Sequence, residues 1–128
     1  MALRDPGFDP DALEAILGFH FRDRTLLQKA LTHSSYANEH KGQEDYERLE
    51  FLGDAVLEMV TSAFLYRTYP EMREGEMTKL RATLVCEPAL AFCAHETGIT
   101  SFLLLGRGEE SGGGRQKDSI IADVVEAL

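Results

Sequence analysis

A chain of 128 residues, 44% apolar and 27% charged, has the material for one domain with its own hydrophobic core and no need of disulfides or a structural metal. No apolar run approaches the roughly 18 residues that cross a bilayer, and Met1-Ala2-Leu3-Arg4-Asp5 leads into Pro6 and Gly7 rather than an apolar stretch, which argues against a membrane protein or a secretory leader and for a cytoplasmic one. With 13 basic against 22 acidic side chains, the net charge of −9 has the wrong sign for a protein that binds by neutralising phosphates, unless many of the carboxylates are clustered to hold metal ions.

Asp9-Pro10 ahead of Ala12, Leu13, Ile16 and Leu17 reads as an N-cap with proline in the first turn, and Gly18 stands where the C-terminal cap of this short helix belongs. A second helix is expected from about Asp23 to His33, with Leu26, Leu27, Ala30 and Leu31 at helical spacing, and the polar stretch from Ser34 to Gln43 breaks it. The longest periodic segment runs from Asp45 to Tyr69, stopped by Pro70 and interrupted only by Gly53, and is taken as the central helix. A fourth helix follows Gly75, and a fifth begins at Glu87-Pro88 and closes at Gly98. Ile99 to Leu105 is too short for periodicity to separate a buried extended piece from a helical turn. Gly106, Gly108 and Gly112-Gly113-Gly114 read as a flexible surface loop, after which Asp118-Ser119 can cap a last helix through Ile120, Ile121, Val124 and Val125. No internal repeat and no strand alternation is present, so the expected class is an all-α helical bundle. Cys86 and Cys93, seven apart, match neither a redox pair nor a zinc site and read as free buried thiols.

The central helix has an unusual charge distribution. With Glu47 at zero and about 100° per residue, Glu50 falls near 300°, Asp54 near 340° and Glu58 near 20°, while Leu49, Leu52, Val56, Met59, Val60, Ala63 and Phe64 occupy the opposite arc as a core face. A solvated helix face usually mixes in basic residues; here Arg48 points away, so like charges repel at four-residue spacing, a cost a bound cation would remove. The last helix offers Asp123 and Glu126, three apart and therefore on one face, and two packed helices could join the pairs into one site of oxygen donors. Such donors suit Mg2+ or Mn2+ rather than zinc, and a cation of that kind could supply activated water and stabilise charge at phosphorus. These spacings alone are only moderately specific. Phe51, near 40° on the same projection and so beside the acids, must be covered by another part of the chain or by a partner.

The segment Glu47-Arg48-Leu49-Glu50-Phe51-Leu52-Gly53-Asp54-Ala55-Val56-Leu57 is similar, residue for residue, to the signature of bacterial ribonuclease III. Leu31-Thr32-His33-Ser34-Ser35-Tyr36 resembles the preceding box of that family, Glu74-Gly75 and Leu80-Arg81-Ala82 its middle, and Ala122-Asp123 with Val125-Glu126-Ala127-Leu128 its distal acidic motif, all in the right order. The resemblance implies the helical endonuclease domain of that family: a Mg2+-dependent homodimer (Mn2+ being the alternative ion) that cuts both strands of double-stranded RNA, leaves 5′-phosphate and 3′-hydroxyl ends, and serves rRNA and mRNA processing. Carried over by motif, Glu50, Asp54, Asp123 and Glu126 are the metal ligands. Asp54 and Glu126, with Glu47 and Glu74 in support, form the catalytic set, and Phe51 docks into the partner subunit.

Glu58 departs from the family pattern and is read as a solvated carboxylate outside the site. Family members also continue past the Glu-Ala-Leu motif with the rest of that helix, further packing elements and usually a double-stranded-RNA-binding domain. A fragment lacking those parts is therefore expected, with a loosely held site so near its last residue. Arg107, Arg115 and Lys117 flank the glycine-rich loop as candidate RNA phosphate contacts, with solvated loop charges as the plainer reading. His20, His33, His40 and His95 share no spacing and read as structural or surface residues, and Ser34 and Ser35 as capping or turn residues. Two rivals to the enzyme stand: a non-catalytic RNA-binding or dimerisation module of the same fold, and an acidic helical protein-interaction domain.

Overall fold

The computed structural model describes residues 7–128; the leader reading of residues 1–5 lies outside them. Eight α-helices follow in order: α1 Pro10–Leu17, α2 Arg24–Ala30, α3 Ser34–Glu39, α4 Glu47–Thr68, α5 Glu74–Val85, α6 Glu87–Thr97, α7 Arg107–Ser111 and α8 Asp118–Ala127, with short 3-10 turns at Ile99–Phe102 and Gly114–Gln116. Among the described residues no strand forms beyond one isolated bridge, and no helix is long and apolar enough to cross a membrane. The expected all-α bundle is the observed class.

Local capping accounts for the first elements. Asp9 Oδ1 accepts from the Ala12 backbone N–H at 3.1 Å, Pro10 opens α1, and Gly18 closes it in the left-handed region at φ 68°. The second helix ends three residues earlier than expected. The Leu104 N–H donates to the Leu31 carbonyl at 2.9 Å and the His33 N–H to the Leu104 carbonyl at 3.0 Å, so an extended strap captures the backbone groups that a longer helix would use. This strap also settles the Ile99–Leu105 run as a 3-10 turn followed by a buried extended piece.

Two expectations fail here for a common reason. The polar stretch after His33 is not a break but contains α3, capped by the His33 ring, whose Nδ1 accepts from the Ser35 N–H at 3.1 Å. The glycine-rich segment is not a flexible loop but holds α7 and a 3-10 turn, pinned where the Gly106 N–H donates to Ser35 Oγ at 2.8 Å and the Arg107 N–H to Glu39 Oε2 at 2.7 Å. Both helices are short and polar, so neither carries an apolar period. Gly106 is buried so tightly that a Cβ there would lie 2.6 Å from the Ser35 carbonyl oxygen.

The core is gathered around α8, which packs on α6 and α4, with Leu13, Leu27, Leu31, Ile121 and Val124 fully enclosed. Cys86 and Cys93 are free but exposed, which corrects the expectation of buried thiols: they lie at the start and on the outer side of α6, whose inward face is Leu90, Ala91 and Ala94. The expected core face of α4 is likewise largely open, with Leu52 61% and Val60 54% exposed, and the residue of α4 that is buried, Leu65, projects on the side of the acids and not on that face. An amphipathic period reports which side of a helix is apolar and is silent on what covers it.

Candidate active site

Helices α4 and α8 form the most extensive pair in the fold. Glu50 shares a side-chain hydrogen bond with Asp123, and one turn further along Gly53 of α4 lies against the backbone of Glu126. Both contacts advance in the same chain direction, so the two helices run parallel and their acid faces meet. Asp123 and Glu126 of α8 raise Glu50, and Asp54 of α4 raises Glu126, so four of the residues expected at the site lie near one another.

The electrostatics of these acids follow from burial and like charge. Burial, the hydrogen bond to Asp123, and the negative charges of Asp123, Glu126 and Glu47 push the Glu50 carboxyl up to about 7. Glu126 is raised as well, by burial first and then by Asp54 and Asp123. The phenol of Tyr46, buried at the N-terminal end of α4, is pushed far above its usual range by burial and by Asp123, Glu50, Asp45 and Glu109. Tyr46 was not expected at the site; its only signal was an aromatic standing directly before the acidic helix. Its ring lies 6.0 Å from that of His33, edge to face.

A pH dependence follows. An acid whose folded pKa is raised holds its proton more tightly folded than unfolded, so its contribution to stability is complete below its ordinary value near 4.5 and is lost as pH rises through about 7. Glu126 acts in the same sense. Glu14, Asp23 and Glu109 are lowered, and their contribution is lost only under more acidic conditions. The chain in EDTA is therefore expected to melt a few degrees lower at pH 8 than at pH 5.5, with most of the difference gone in Glu50→Gln; thermal denaturation at equal melting points would show that the carboxyls do not meet.

The remaining expected residues are placed as follows. Glu47 opens α4, exposed and close enough to raise Glu50. Glu74 opens α5, exposed, and is not among the groups that shift Glu50 or Glu126. Phe51 is 83% exposed beside the acids, so among the described residues nothing of its own chain covers it. Arg115 pairs with Glu110 at 3.0 Å and donates to the Thr100 carbonyl, and Lys117 pairs with Glu109 at 2.8 Å, so both cations are already engaged within the chain, whereas Arg107 is exposed. Glu58 is not the solvated carboxylate expected: it pairs with Arg81 at 2.9 Å and ties α4 to α5.

The histidines are structural or exposed: His33 caps α3, His40 stacks on Tyr36 at 3.9 Å, His20 meets Glu14 at 3.2 Å, and His95 is exposed in the last turn of α6.

Among the described residues no three His, Cys, Asp or Glu side chains already stand as a metal-holding group. Their chemistry still fits a hard divalent cation. All the donors are oxygen, and Mg2+ commonly takes one or two protein carboxylates and keeps water in its other positions.

A family model described as Ribonuclease-III-like matches residues 23–128. This chain belongs to the ribonuclease III family. The family's Ribonuclease 3 from Bacillus velezensis is 56% identical over 114 residues, covering 88% of this chain and 46% of that protein. Ribonuclease 3 from Bacillus cereus is 57% identical over the same length and with the same coverage. The chain thus spans just under half the length of these relatives. Among solved structures, the nuclease domain of ribonuclease III from Campylobacter jejuni superposes with a TM-score of 0.85 at 41% identity, over 93% of this chain and 80% of that one. That structure is described by flexibility in its region involved in dimer formation. A second structure of the same domain, at 2.2 Å resolution, gives a TM-score of 0.82 at 42% identity, over 91% of this chain and 77% of that one.

Proposed function

We propose that this chain is an endoribonuclease domain that hydrolyses the backbone of double-stranded RNA, using Mg2+ or Mn2+, as a homodimer in the cytoplasm, in the processing of rRNA and mRNA. The observation that carries the reading is the approach of α4 to α8 at Gly53 and Glu126, which brings Glu50 and Asp54 near enough to Asp123 and Glu126 for their charges to act on one another. These four residues would hold the cation, which when bound supplies water activation and charge neutralisation at phosphorus. In the reaction a water oxygen joins phosphorus and the bond to the 3′ oxygen breaks. That oxygen takes up a proton, leaving a 5′-phosphate and a 3′-hydroxyl. Asp54 is solvent-exposed and so faces an approaching duplex, whereas Glu50 and Glu126 lie half-buried behind it. Glu47 and Glu74 are proposed as supporting acids at the cleavage position.

The test is incubation of a blunt RNA duplex with the chain and Mg2+, with duplex DNA and single-stranded RNA as controls. Cleavage of the RNA duplex alone, with 5′-phosphate ends, is expected; binding without cleavage would favour the non-catalytic module. RNA contacts at Arg107, Arg115 and Lys117 are proposed for Arg107 first, because the other two would have to leave Glu110 and Glu109.

The homodimer is supported by Phe51, a large aromatic exposed beside the active site, and by the dimer-forming region of the related Campylobacter jejuni domain. Interface aromatics that fill a partner's pocket commonly contribute 2 kcal/mol or more, so Phe51→Ala is expected to weaken dimerisation by about 30-fold. Sedimentation equilibrium showing the same dissociation constant for both chains would remove Phe51 from the interface.

A further inference from the structure

Gly53 stands inside the 22-residue helix α4, where glycine carries a helix-propensity cost. Its backbone does not require it: the glycines in the left-handed region are Gly18, Gly42, Gly98 and Gly113, and Gly53 is not among them. What requires it is space. A Cβ at Gly53 would fall on the Glu126 carbonyl oxygen, 2.6 Å from its carbonyl carbon and 3.5 Å from the Ala127 nitrogen. These are main-chain atoms of α8, which cannot swing aside as a side chain can. Gly75 in α5 is the contrast, since a Cβ there would meet no atom within 4 Å.

The contact sits at the site itself. Gly53 directly precedes Asp54, and the backbone it touches is that of Glu126, whose carboxyl Asp54 lies close enough to raise. Any side chain at residue 53 would push α8 away from α4 at the level of this pair. We infer that Gly53 is a positioning residue: it sets the separation of α4 and α8 at which Asp54 and Glu126 converge on a divalent cation. The inference rests on the proposed cation site.

The test compares the full chain with Gly53→Ala and Gly75→Ala by calorimetric titration with Mn2+, alongside thermal melts in EDTA. Were helix propensity all that mattered, both substitutions would raise the melting temperature. Gly53→Ala is instead expected to lower it and to weaken Mn2+ binding by about ten- to hundredfold, the range for residues that orient metal ligands, while Gly75→Ala binds within about twofold of the unaltered chain. A folded Gly53→Ala that binds Mn2+ normally, even with a lowered melting temperature, would overturn the positioning role alone. Failure of the unaltered chain to bind Mn2+ would overturn the cation site and this inference together.

Should Gly53→Ala not fold, the unaltered chain still decides. Paramagnetic broadening by Mn2+ should strike the Gly53 and Glu126 amide signals ahead of those of Gly75 and Gly98, and equal broadening of all four would overturn the inference.

Discussion

Glu126→Gln is expected to lower Mg2+-dependent cleavage of an RNA duplex by on the order of 10³-fold, the scale of losing a group aimed at transition-state charge, while leaving the fold intact. Glutamine keeps the shape of the side chain and one oxygen donor but cannot carry the negative charge that a hard cation requires. Glu126 is half-buried and already raised by burial and by the charges of Asp54 and Asp123. Removing its charge therefore relieves repulsion, and the variant in EDTA at pH 8 should melt no lower than the unaltered chain. The two readouts move in opposite directions, which separates a lost ligand from a damaged fold. Single-turnover rates on one duplex and melts on the same preparations check it. Cleavage at the original rate would remove Glu126 from the reaction.

Saturating Mg2+ or Mn2+ is expected to raise the melting temperature by roughly 10 °C. Repulsion within Glu50–Asp123 and Asp54–Glu126 is a cost of the folded state, and a ligand that binds only the folded chain stabilises it by about 2.7 kcal/mol at a hundred times its dissociation constant. For a domain of this size each kcal/mol corresponds to about 4 °C. The shift should be larger at pH 8 than at pH 6, because Glu50, pushed up to about 7 by burial and its acidic neighbours, must lose its proton before a cation enters. Differential scanning calorimetry with and without EDTA measures it. An unchanged melting temperature at saturating metal would instead favour the non-catalytic module.

The chemistry was more legible than the packing that assembles it. Glu50 and Asp54 at one helical spacing, and Asp123 and Glu126 at another, announce two acidic faces because the helix period alone sets which side chains line up. That these faces meet depends on the parallel course of α4 and α8, and on Gly53 lying against the Glu126 backbone, which are tertiary facts. The same limit explains the exposed Leu52 and Val60: their apolar stripe was visible, but not what stands beside it.

Short polar elements escaped for a different reason. α3 is held by the local His33 ring cap and α7 by Ser35 and Glu39 reaching residues 106 and 107 from a distant part of the chain, and none of these contacts follows a periodic pattern. Lys117 and Arg115, read as free cations of a loop, are committed to Glu109 and Glu110. Tyr46 went unnoticed because a single aromatic before a helix has many ordinary explanations; only its burial in the core, within reach of the Glu50 and Asp123 charges, gives it meaning.

Whether α4 and α8 grip the same ions is most directly measured by a double-mutant cycle on Mn2+ affinity between Glu50→Gln, on one helix, and Asp123→Asn, on the other. Shared ligation makes each single change remove most of the affinity and the pair remove little more, a coupling well outside the 0.3–0.5 kcal/mol scatter typical of independent sites. Losses that simply add would mean that the two helices bind cations separately, and the proposed hydrolysis would lose its foundation.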